Sequence, residues 1–296
     1  MKGDDSLGNP LRISAADGTE LAAARFEPPA RPAKAVLIVP AMGVAQSYYA
    51  PFAAWLARHG FAVATFDFRG IGRSRPASLR GYRADLCDWA QLDCAAALEE
   101  LRRAHPGAPL VWLGHSLGGQ IYPFAGAAGK VERMITVATG SGYWRENTPH
   151  LRRYSWWLWF VVVPLALRLC GYFPGRRLRK IGDLPHGVMA QWRRWCLHRE
   201  YAVGVERGAR ELYAAVRTPI FSLSFTDDEY MSEQNVASIH GFYSGAPRTM
   251  KRVAPADVGE RAIGHFGCFR PRCEESLWRP VLLPVLAGTT DCATGR

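Results

Sequence analysis

The sequence lacks the cysteine pattern of a disulfide-stabilised protein. Its 296 residues include seven cysteines, an odd number, and none of them belongs to a Cys-x-x-Cys pair. This usage is typical of a reducing compartment and argues against a disulfide framework. The first ten residues, MKGDDSLGNP, are polar and lack the charged-then-apolar pattern of an export signal. We therefore predict a cytoplasmic protein, and contact with the surface of a membrane is compatible with this prediction.

An apolar run long enough to cross a bilayer is also missing. The apolar stretch Trp156–Leu167 has only twelve residues and contains a proline. A transmembrane helix needs about 20 apolar residues, so this stretch does not predict one.

No nucleic-acid-binding motif accompanies the basic composition. The formal net charge is +11, and most of the positive charge comes from arginine. Such a charge attracts nucleic acid or anionic lipid when it is concentrated, but has no partner when it is spread over a solvated surface. We favour the spread surface and predict no nucleic-acid partner.

Motifs for bound metals and phosphates are absent as well. His265, Cys268 and Cys273 lie close together, but their spacing matches no standard zinc finger. The glycine loop Asp67–Ser74 lacks both common phosphate-binding spacings, G-x-x-x-x-G-K-[ST] and G-x-G-x-x-G. We predict neither a metal nor a cofactor.

The chain does contain a regular alternation of apolar strands and helices. Runs such as Ala35–Pro40 and Phe61–Phe68 have the composition of strands buried on both faces of a parallel sheet. Helical periodicity is present in Tyr48–His59 and in Ala84–His105. The alternation predicts an α/β fold with a mostly parallel central sheet and helices on both faces.

This alternation is interrupted between residues 141 and 215, which are rich in tryptophan and arginine. We predict a core formed by residues 1–140 and 216–296, with 141–215 inserted as a lid. Three interpretations of the insertion stay open: a lid over an apolar site, membrane contact through residues 152–180, and plain core. The lid is favoured, and it is compatible with membrane contact. Basic residues flank the apolar stretch on both sides: Arg152, Arg153, Arg176, Arg177, Arg179 and Lys180.

The residues Gly114–Gly119 (GHSLGG) contain the spacing G-x-S-x-G between a strand, Pro109–Leu113, and a helix, Gln120–Ala128. This is the context of a nucleophile elbow, which exposes a serine hydroxyl at a sharp turn. Small residues are needed because strand and helix approach closely there. Ser116 is therefore the candidate nucleophile; the alternative is a glycine-rich turn with an incidental serine.

A serine nucleophile needs a base, and the base needs a group that orients it. Asp227 and Asp228 follow the predicted strand Pro219–Phe225, and His265 lies in a loop after the last predicted strand. This order, serine then acid then histidine, is the one expected. Spacing does not separate the two aspartates, and we favour Asp228 because it lies further into the loop.

Negative charge on the attacked carbonyl oxygen requires two backbone N–H donors, which form an oxyanion hole. The residue after the nucleophile is Leu117. The loop after the first buried strand offers Met42, in Pro40–Ala41–Met42–Gly43. We predict these two N–H groups as the donors.

The chain resembles α/β hydrolases of the serine aminopeptidase-like and monoacylglycerol lipase-like branch. The resemblance covers nearly the whole chain except the insertion. One departure is Pro40–Ala41, where many members have His-Gly before the oxyanion donor. Four segments carry the resemblance: Gly114–Gly119 (GHSLGG), Asp67–Ser74 (DFRGIGRS), the pair Asp227–Asp228, and Gly264–Phe266 (GHF).

The resemblance implies an α/β-hydrolase fold, and the residues predict a serine hydrolase that cleaves an ester or related acyl bond of an apolar or lipid-like substrate. A thioesterase, an acyltransferase and an aminopeptidase-type hydrolase are alternatives. From another class, the chain can be a non-catalytic ligand-binding or membrane-surface protein on the same fold. The intact serine, aspartate and histidine favour an enzyme.

Overall fold

A central sheet organises the computed structural model, which describes residues 8–178 and 181–289. Eight strands form this sheet in the order β1-β2-β4-β3-β5-β6-β9-β10, and β7 with β8 forms a separate antiparallel pair. The strands are β1 (Asn9–Ser14), β2 (Glu20–Phe26), β3 (Lys34–Val39), β4 (Phe61–Phe66), β5 (Leu110–His115), β6 (Arg133–Val137), β7 (Tyr172–Phe173), β8 (Leu184–Pro185), β9 (Ile220–Phe225) and β10 (Arg248–Val253).

The sheet is mostly parallel, as the sequence predicts. Only β1–β2 and β2–β4 pair antiparallel. Val39 pairs with Gly114, which pairs with Thr136, so β3, β5 and β6 end at the same edge. Carboxyl ends of parallel strands are where α/β folds place their ligand sites.

Helices cover both faces of the sheet. The α-helices are α1 (Ala50–Arg58), α2 (Leu86–Asp88), α3 (Ala95–Ala104), α4 (Leu117–Gln120), α5 (Pro149–Trp157), α6 (Val163–Cys170), α7 (His186–Leu197), α8 (Ala209–Ala215), α9 (Glu233–Gly241) and α10 (Leu283–Ala287). Three π-helical stretches adjoin them: Trp89–Cys94, Leu158–Val162 and Glu274–Leu282. Short 3-10 helices are Gln46–Tyr49, Gly72–Ser74, Tyr122–Ala125, Tyr201–Gly204, Pro255–Val258, Gly267–Phe269 and Pro271–Cys273.

Two apolar clusters lie on opposite faces of the sheet. Alternate residues of β3 divide between them, with Leu37 in one cluster and Val36 in the other. The Val36 side includes Trp55 of α1 and Trp278 of the last π-helical stretch, whose rings lie 5.4 Å apart between centroids. The Leu37 side includes α3 and much of segment 141–215. The predicted α/β fold with two covered faces is therefore confirmed.

Two predicted helices differ in detail. The helix expected over Gln120–Ala128 is instead α4 followed by a 3-10 turn, because Pro123 lacks a backbone N–H and Gly126 has φ 61°. The closing segment Cys273–Leu286 has a helical pattern, and Pro280 within it predicts a bend or break. It stays helical there in π geometry, which accommodates a residue that cannot make the usual hydrogen bond.

All eight strands of the central sheet lie outside residues 141–215. That segment contains α5 to α8 and the β7–β8 pair. No helix within residues 8–178 or 181–289 is both long and apolar enough to cross a membrane. The basic residues Arg179 and Lys180, Cys292 and most of the N-terminal decapeptide lie outside the described residues. The division into a core and an inserted lid stays a prediction.

Candidate active site

Ser116 lies at the turn between β5 and α4 with φ 51° and ψ −112°, a conformation that side-chain-bearing residues rarely adopt. The turn is fixed from both sides. The Ser116 N–H donates to the Val137 carbonyl at 2.9 Å, and its own carbonyl accepts from Gly119 N and Thr139 Oγ1, both at 3.0 Å. Strained backbone of this kind persists only where the surroundings hold it, typically at functional sites.

The glycines around Ser116 are required by close backbone approach. A Cβ on Gly114 would lie 2.5 Å from the Gly118 carbonyl, and a Cβ on Gly118 would lie 2.1 Å from the Val39 oxygen. A Cβ on Gly119 would lie 2.4 Å from Thr139 Oγ1. The elbow is thus packed directly against the ends of β3 and β6.

His265 and Asp228 form a buried hydrogen-bonded pair. Asp228 Oδ2 lies 2.9 Å from His265 Nδ1, and Oδ1 lies 3.1 Å from it. The carboxylate also accepts from the backbone N–H groups of Tyr230 and Met231, both at 2.8 Å. A carboxylate partner places the imidazole proton on Nδ1 and leaves Nε2 free to accept a proton.

Asp227, which spacing does not separate from Asp228, has different partners. Its Oδ2 accepts from the backbone N–H groups of Ile263 at 2.8 Å and Gly264 at 3.0 Å. The next residue, Glu229, accepts from the His265 N–H at 2.9 Å. Three consecutive acids after β9 therefore bind the histidine loop, and Asp228 alone contacts the imidazole.

Tyr49 and His115 join the elbow to the histidine loop. The Ala41 N–H donates to the Tyr49 hydroxyl at 2.9 Å, and that hydroxyl lies 2.8 Å from His115 Nδ1. His115 Nε2 lies 3.0 Å from the His265 carbonyl oxygen, which can only accept, so His115 carries its proton on Nε2. Burial lowers the pKa of His115 well below its ordinary value, which keeps the ring neutral.

The sequence by itself does not indicate this connection. Neither His115 nor Tyr49 occupies a defined position of a catalytic motif, and their hydrogen bond joins positions 66 residues apart in the sequence. The neighbouring Tyr48 hydroxyl also binds the histidine loop, by donating to the Phe266 carbonyl. The local sequence feature that could have indicated it is the pair of adjacent tyrosines, Tyr48 and Tyr49, in the 3-10 helix before α1.

The two predicted oxyanion donors lie on the same side of the sheet. Met42 and Leu117 belong to one apolar cluster, and the backbone of the β3 loop abuts the elbow at Val39 and Gly118. Neither the Met42 N–H nor the Leu117 N–H donates to a residue in the described part of the chain. The Ser116 hydroxyl likewise has no partner among the described residues. Catalytic hydrogen bonds are often long or poorly aligned before substrate binds, and they tighten in the reacting complex.

The glycine loop Asp67–Ser74 is held by internal hydrogen bonds. The Asp67 carboxylate accepts from Gln46 N at 2.7 Å and Arg73 N at 2.8 Å. Arg69 is buried and forms ion pairs with Asp93 at 2.7 Å and Asp17 at 2.6 Å. These bonds hold the glycine loop and the neighbouring segments in place, so its carboxylate and guanidinium groups have a structural role.

The cysteines near His265 are packed into the core. Cys268 is buried, and the Cys273 thiol donates to the Gly267 carbonyl at 3.3 Å. Within residues 8–178 and 181–289, no group of three or more histidine, cysteine or acidic side chains is arranged to hold a metal ion.

Segment 141–215 touches the site from two directions. A Cβ on Gly182 would lie 2.4 Å from the Gly43 carbonyl oxygen, beside Met42. On the other side, the Thr148 hydroxyl donates to the Glu229 carbonyl at 3.4 Å, and Ser232 Oγ donates to the Glu146 carbonyl at 2.5 Å. The segment thus contacts both the β3 loop and the acidic turn after β9.

Comparison with known proteins gives a family and a fold. A family model described as serine aminopeptidase, S33, matches residues 30–181. An esterase from Pyrococcus furiosus is 16% identical with a TM-score of 0.60, covering 98% of this chain and 91% of that one. A thermostable carboxyl esterase from Bacillus coagulans is 15% identical with a TM-score of 0.58, covering 83% and 89%.

A third solved structure, of an N-acyl homoserine lactone degrading enzyme, is 13% identical with a TM-score of 0.58, covering 92% of this chain and 100% of that one. These identities are low, so the structural likenesses show the fold alone. No curated protein matches the sequence.

Proposed function

The chain belongs to the serine aminopeptidase, S33 family of α/β hydrolases, and from that premise we propose that it hydrolyses an ester or related acyl bond with Ser116 as nucleophile. The observation that carries the proposal is the buried pair of His265 and Asp228, with Nδ1 and Oδ2 2.9 Å apart. His265 is joined through its carbonyl to His115, the residue before the candidate nucleophile. We take His265 as the proton acceptor for Ser116 because its loop is hydrogen-bonded to His115, the residue next to Ser116 in the sequence.

The reaction runs in two steps. Ser116 Oγ attacks the acyl carbon while His265 Nε2 takes the hydroxyl proton, and Asp228 orients the imidazole and stabilises its positive charge. His265 then protonates the leaving group, and an acyl-enzyme forms. Water, deprotonated by His265, attacks the acyl carbon and releases the acid and free Ser116. No cofactor takes part.

The N–H groups of Met42 and Leu117 are the proposed oxyanion hole. Their backbone amides belong to two loops in contact, and neither donates to a described residue. The donors are backbone groups, so the Pro40–Ala41 departure from the family pattern does not remove them. Loss of one such donor costs about 3–4 kcal/mol of transition-state stabilisation.

The proposed substrate is apolar or carries an acyl chain, because the proposed lid, segment 141–215, is rich in tryptophan. The segment contacts the β3 loop at Gly43 and the acidic turn at Glu229. An aminopeptidase needs acids for the substrate amine, whereas Asp227, Asp228 and Glu229 each accept from the histidine loop. Two of the solved structures above are named esterases, which agrees with an ester substrate.

Labelling with a fluorophosphonate probe tests the nucleophile. We expect labelling of the wild-type chain, none in Ser116→Ala, and strong reduction in His265→Ala. Ser224→Ala, another buried serine, is the matched control and keeps the label. A series of p-nitrophenyl esters of increasing chain length then measures the acyl preference. Hydrolysis retained in pure Ser116→Ala protein contradicts the mechanism, and absence of labelling in folded wild type favours a non-catalytic ligand-binding protein.

A further inference from the structure

The helical segment formed by α5, the π-helical turn Leu158–Val162 and α6 has one face buried against the molecule. Ser155, Trp159, Val163 and Leu167, four residues apart, are all buried. The Trp159 ring packs edge-on against Trp192 with centroids 5.2 Å apart. This spacing is that of a helix with a single inward stripe.

The opposite face exposes large apolar side chains to solvent. Nine large apolar residues of the described chain are exposed, and six of them lie on this one segment, so the exposure is concentrated rather than scattered. We call this set the outer apolar face: Tyr154 (60% exposed), Trp156 (51%), Trp157 (57%), Phe160 (43%), Leu165 (52%) and Leu169 (71%).

Arginines without acidic partners accompany the outer apolar face. Residues 145–178 contain six arginines and a single acid, Glu146, which already accepts from Ser141 Oγ at 3.0 Å. Arg152, Arg153 and Arg168 are exposed and form no ion pair with a described residue. No ion pair in the described part of the chain therefore offsets the positive charge of these three arginines.

We propose that the outer apolar face docks on the surface of a bilayer containing anionic phospholipid. Tryptophan and tyrosine are favoured at the boundary between hydrocarbon and headgroups because each ring has an apolar body and a polar end. Arginine side chains extend to the phosphates, and an anionic surface attracts each of them. The segment lies in the plane of the membrane.

Charge favours lipid over a second copy of the chain as the occupant. A symmetric pair of copies joined through this face would place two sets of Arg152 and Arg153 at one interface, and neither side chain forms an ion pair with a described residue. An anionic bilayer supplies the missing negative charge. The inference goes beyond hydrolysis, since docking requires neither Ser116 nor His265.

Sedimentation with vesicles tests the proposal. Vesicles of phosphatidylcholine alone are compared with vesicles that also contain phosphatidylglycerol, at low and high NaCl. We expect the protein to sediment with the anionic vesicles at low salt and to be released as salt rises. The double variant Trp156→Ser/Trp157→Ser weakens binding by about tenfold or more, and Arg152→Gln/Arg153→Gln weakens it and flattens its salt dependence.

Two controls separate docking from folding and from catalysis. Met250→Ser removes an apolar side chain that is 47% exposed on β10, and it leaves vesicle binding unchanged. Ser116→Ala also binds as wild type, so a failed hydrolysis assay does not affect this test. Circular dichroism of the Trp156→Ser/Trp157→Ser variant shows whether it is folded.

Three results overturn the proposal. The first is folded protein that stays in the supernatant with anionic vesicles at low salt. The second is binding that is equal for both vesicle types and independent of salt. The third is a protein that does not bind vesicles and is a dimer in sedimentation velocity, with the dimer dissociated by Trp156→Ser/Trp157→Ser. That result would show that the outer apolar face is a contact between copies of the chain.

Discussion

At the carboxyl end of β9, two adjacent carboxylates have separate tasks. Asp228 contacts the imidazole of His265, while Asp227 accepts from the backbone of the histidine loop. Removing the charge from Asp228 takes away the anionic acceptor that holds the proton of His265, the proposed base, on Nδ1. Removing it from Asp227 leaves an amide oxygen that can still accept from the same N–H groups.

Asp228→Asn is therefore expected to lower kcat on an activated ester by about 10³–10⁴-fold, whereas Asp227→Asn lowers it by less than about tenfold because the loop stays bound. Steady-state kinetics on a p-nitrophenyl ester measure both, with thermal denaturation to verify folding. A larger loss for Asp227→Asn than for Asp228→Asn would contradict this assignment and identify Asp227 as the acid that orients His265.

The limits of sequence reasoning are visible in these same residues. The order of Ser116, the aspartates and His265 follows from strand positions, because parallel strands end at one edge of the sheet. Which aspartate faces the imidazole depends on the direction of each side chain in a turn, and spacing carries no information about that. The Tyr49 hydroxyl is a partner of His115 across 66 positions, and only the folded chain brings them together.

Tyr49 connects three structural elements: the loop after β3, the elbow, and the histidine loop. Its hydroxyl is buried and has partners at Ala41 and His115. Without it, a buried N–H and a buried ring nitrogen lose their partner, which costs about 1–3 kcal/mol of stability for each such group. His115 also loses the bond that fixes its orientation towards the His265 carbonyl.

We expect Tyr49→Phe to reduce both the free energy of unfolding and kcat, with little change in KM, because it displaces the proposed base rather than the substrate. Tyr122→Phe is the matched control, since that buried hydroxyl bonds Thr218 at 2.8 Å away from the histidine loop. Urea denaturation and ester kinetics are measured on both. Equal loss of kcat in the two variants would show that Tyr49 supports folding in general and does not position His265.

Elements also differ in how well their limits are predicted. The buried strands follow from continuous apolar runs, and β4 and β9 begin within one residue of their predicted starts. The π-helical stretches are not predicted, because an apolar pattern does not show whether a backbone N–H bonds four or five residues back. Pro280 predicts a break, yet packing of Trp278 and Leu282 keeps that segment helical.

For the molecule as a whole, buried histidines link stability to pH. His240 is buried with Nε2 3.0 Å from Thr136 Oγ1 and Nδ1 2.8 Å from the Val236 carbonyl. Burial lowers the pKa of His240 to about 4. In the unfolded chain the ordinary value is about 6.5, so acid favours the unfolded state between these two values.

The free energy of unfolding is therefore expected to be fully retained above about pH 6.5 and to fall by up to about 3 kcal/mol as the pH approaches 4. His240→Gln removes this group, so its stability changes less over the same range. Urea denaturation at a series of pH values measures both slopes. His115 contributes in the same direction, so the slope of the variant is reduced rather than abolished. An unchanged slope contradicts the assignment to His240.

The run of Asp227, Asp228 and Glu229 has a consequence for how this chain can change over evolutionary time. Each carboxylate accepts from its own donor on residues 263–265. A deletion or insertion of one residue between the end of β9 and this run would therefore place every carboxylate opposite a different donor. Tolerance of length changes depends on such bonds rather than on whether a segment is a loop. Descendants of this sequence can vary the length of other turns, but the distance from the end of β9 to this run is fixed.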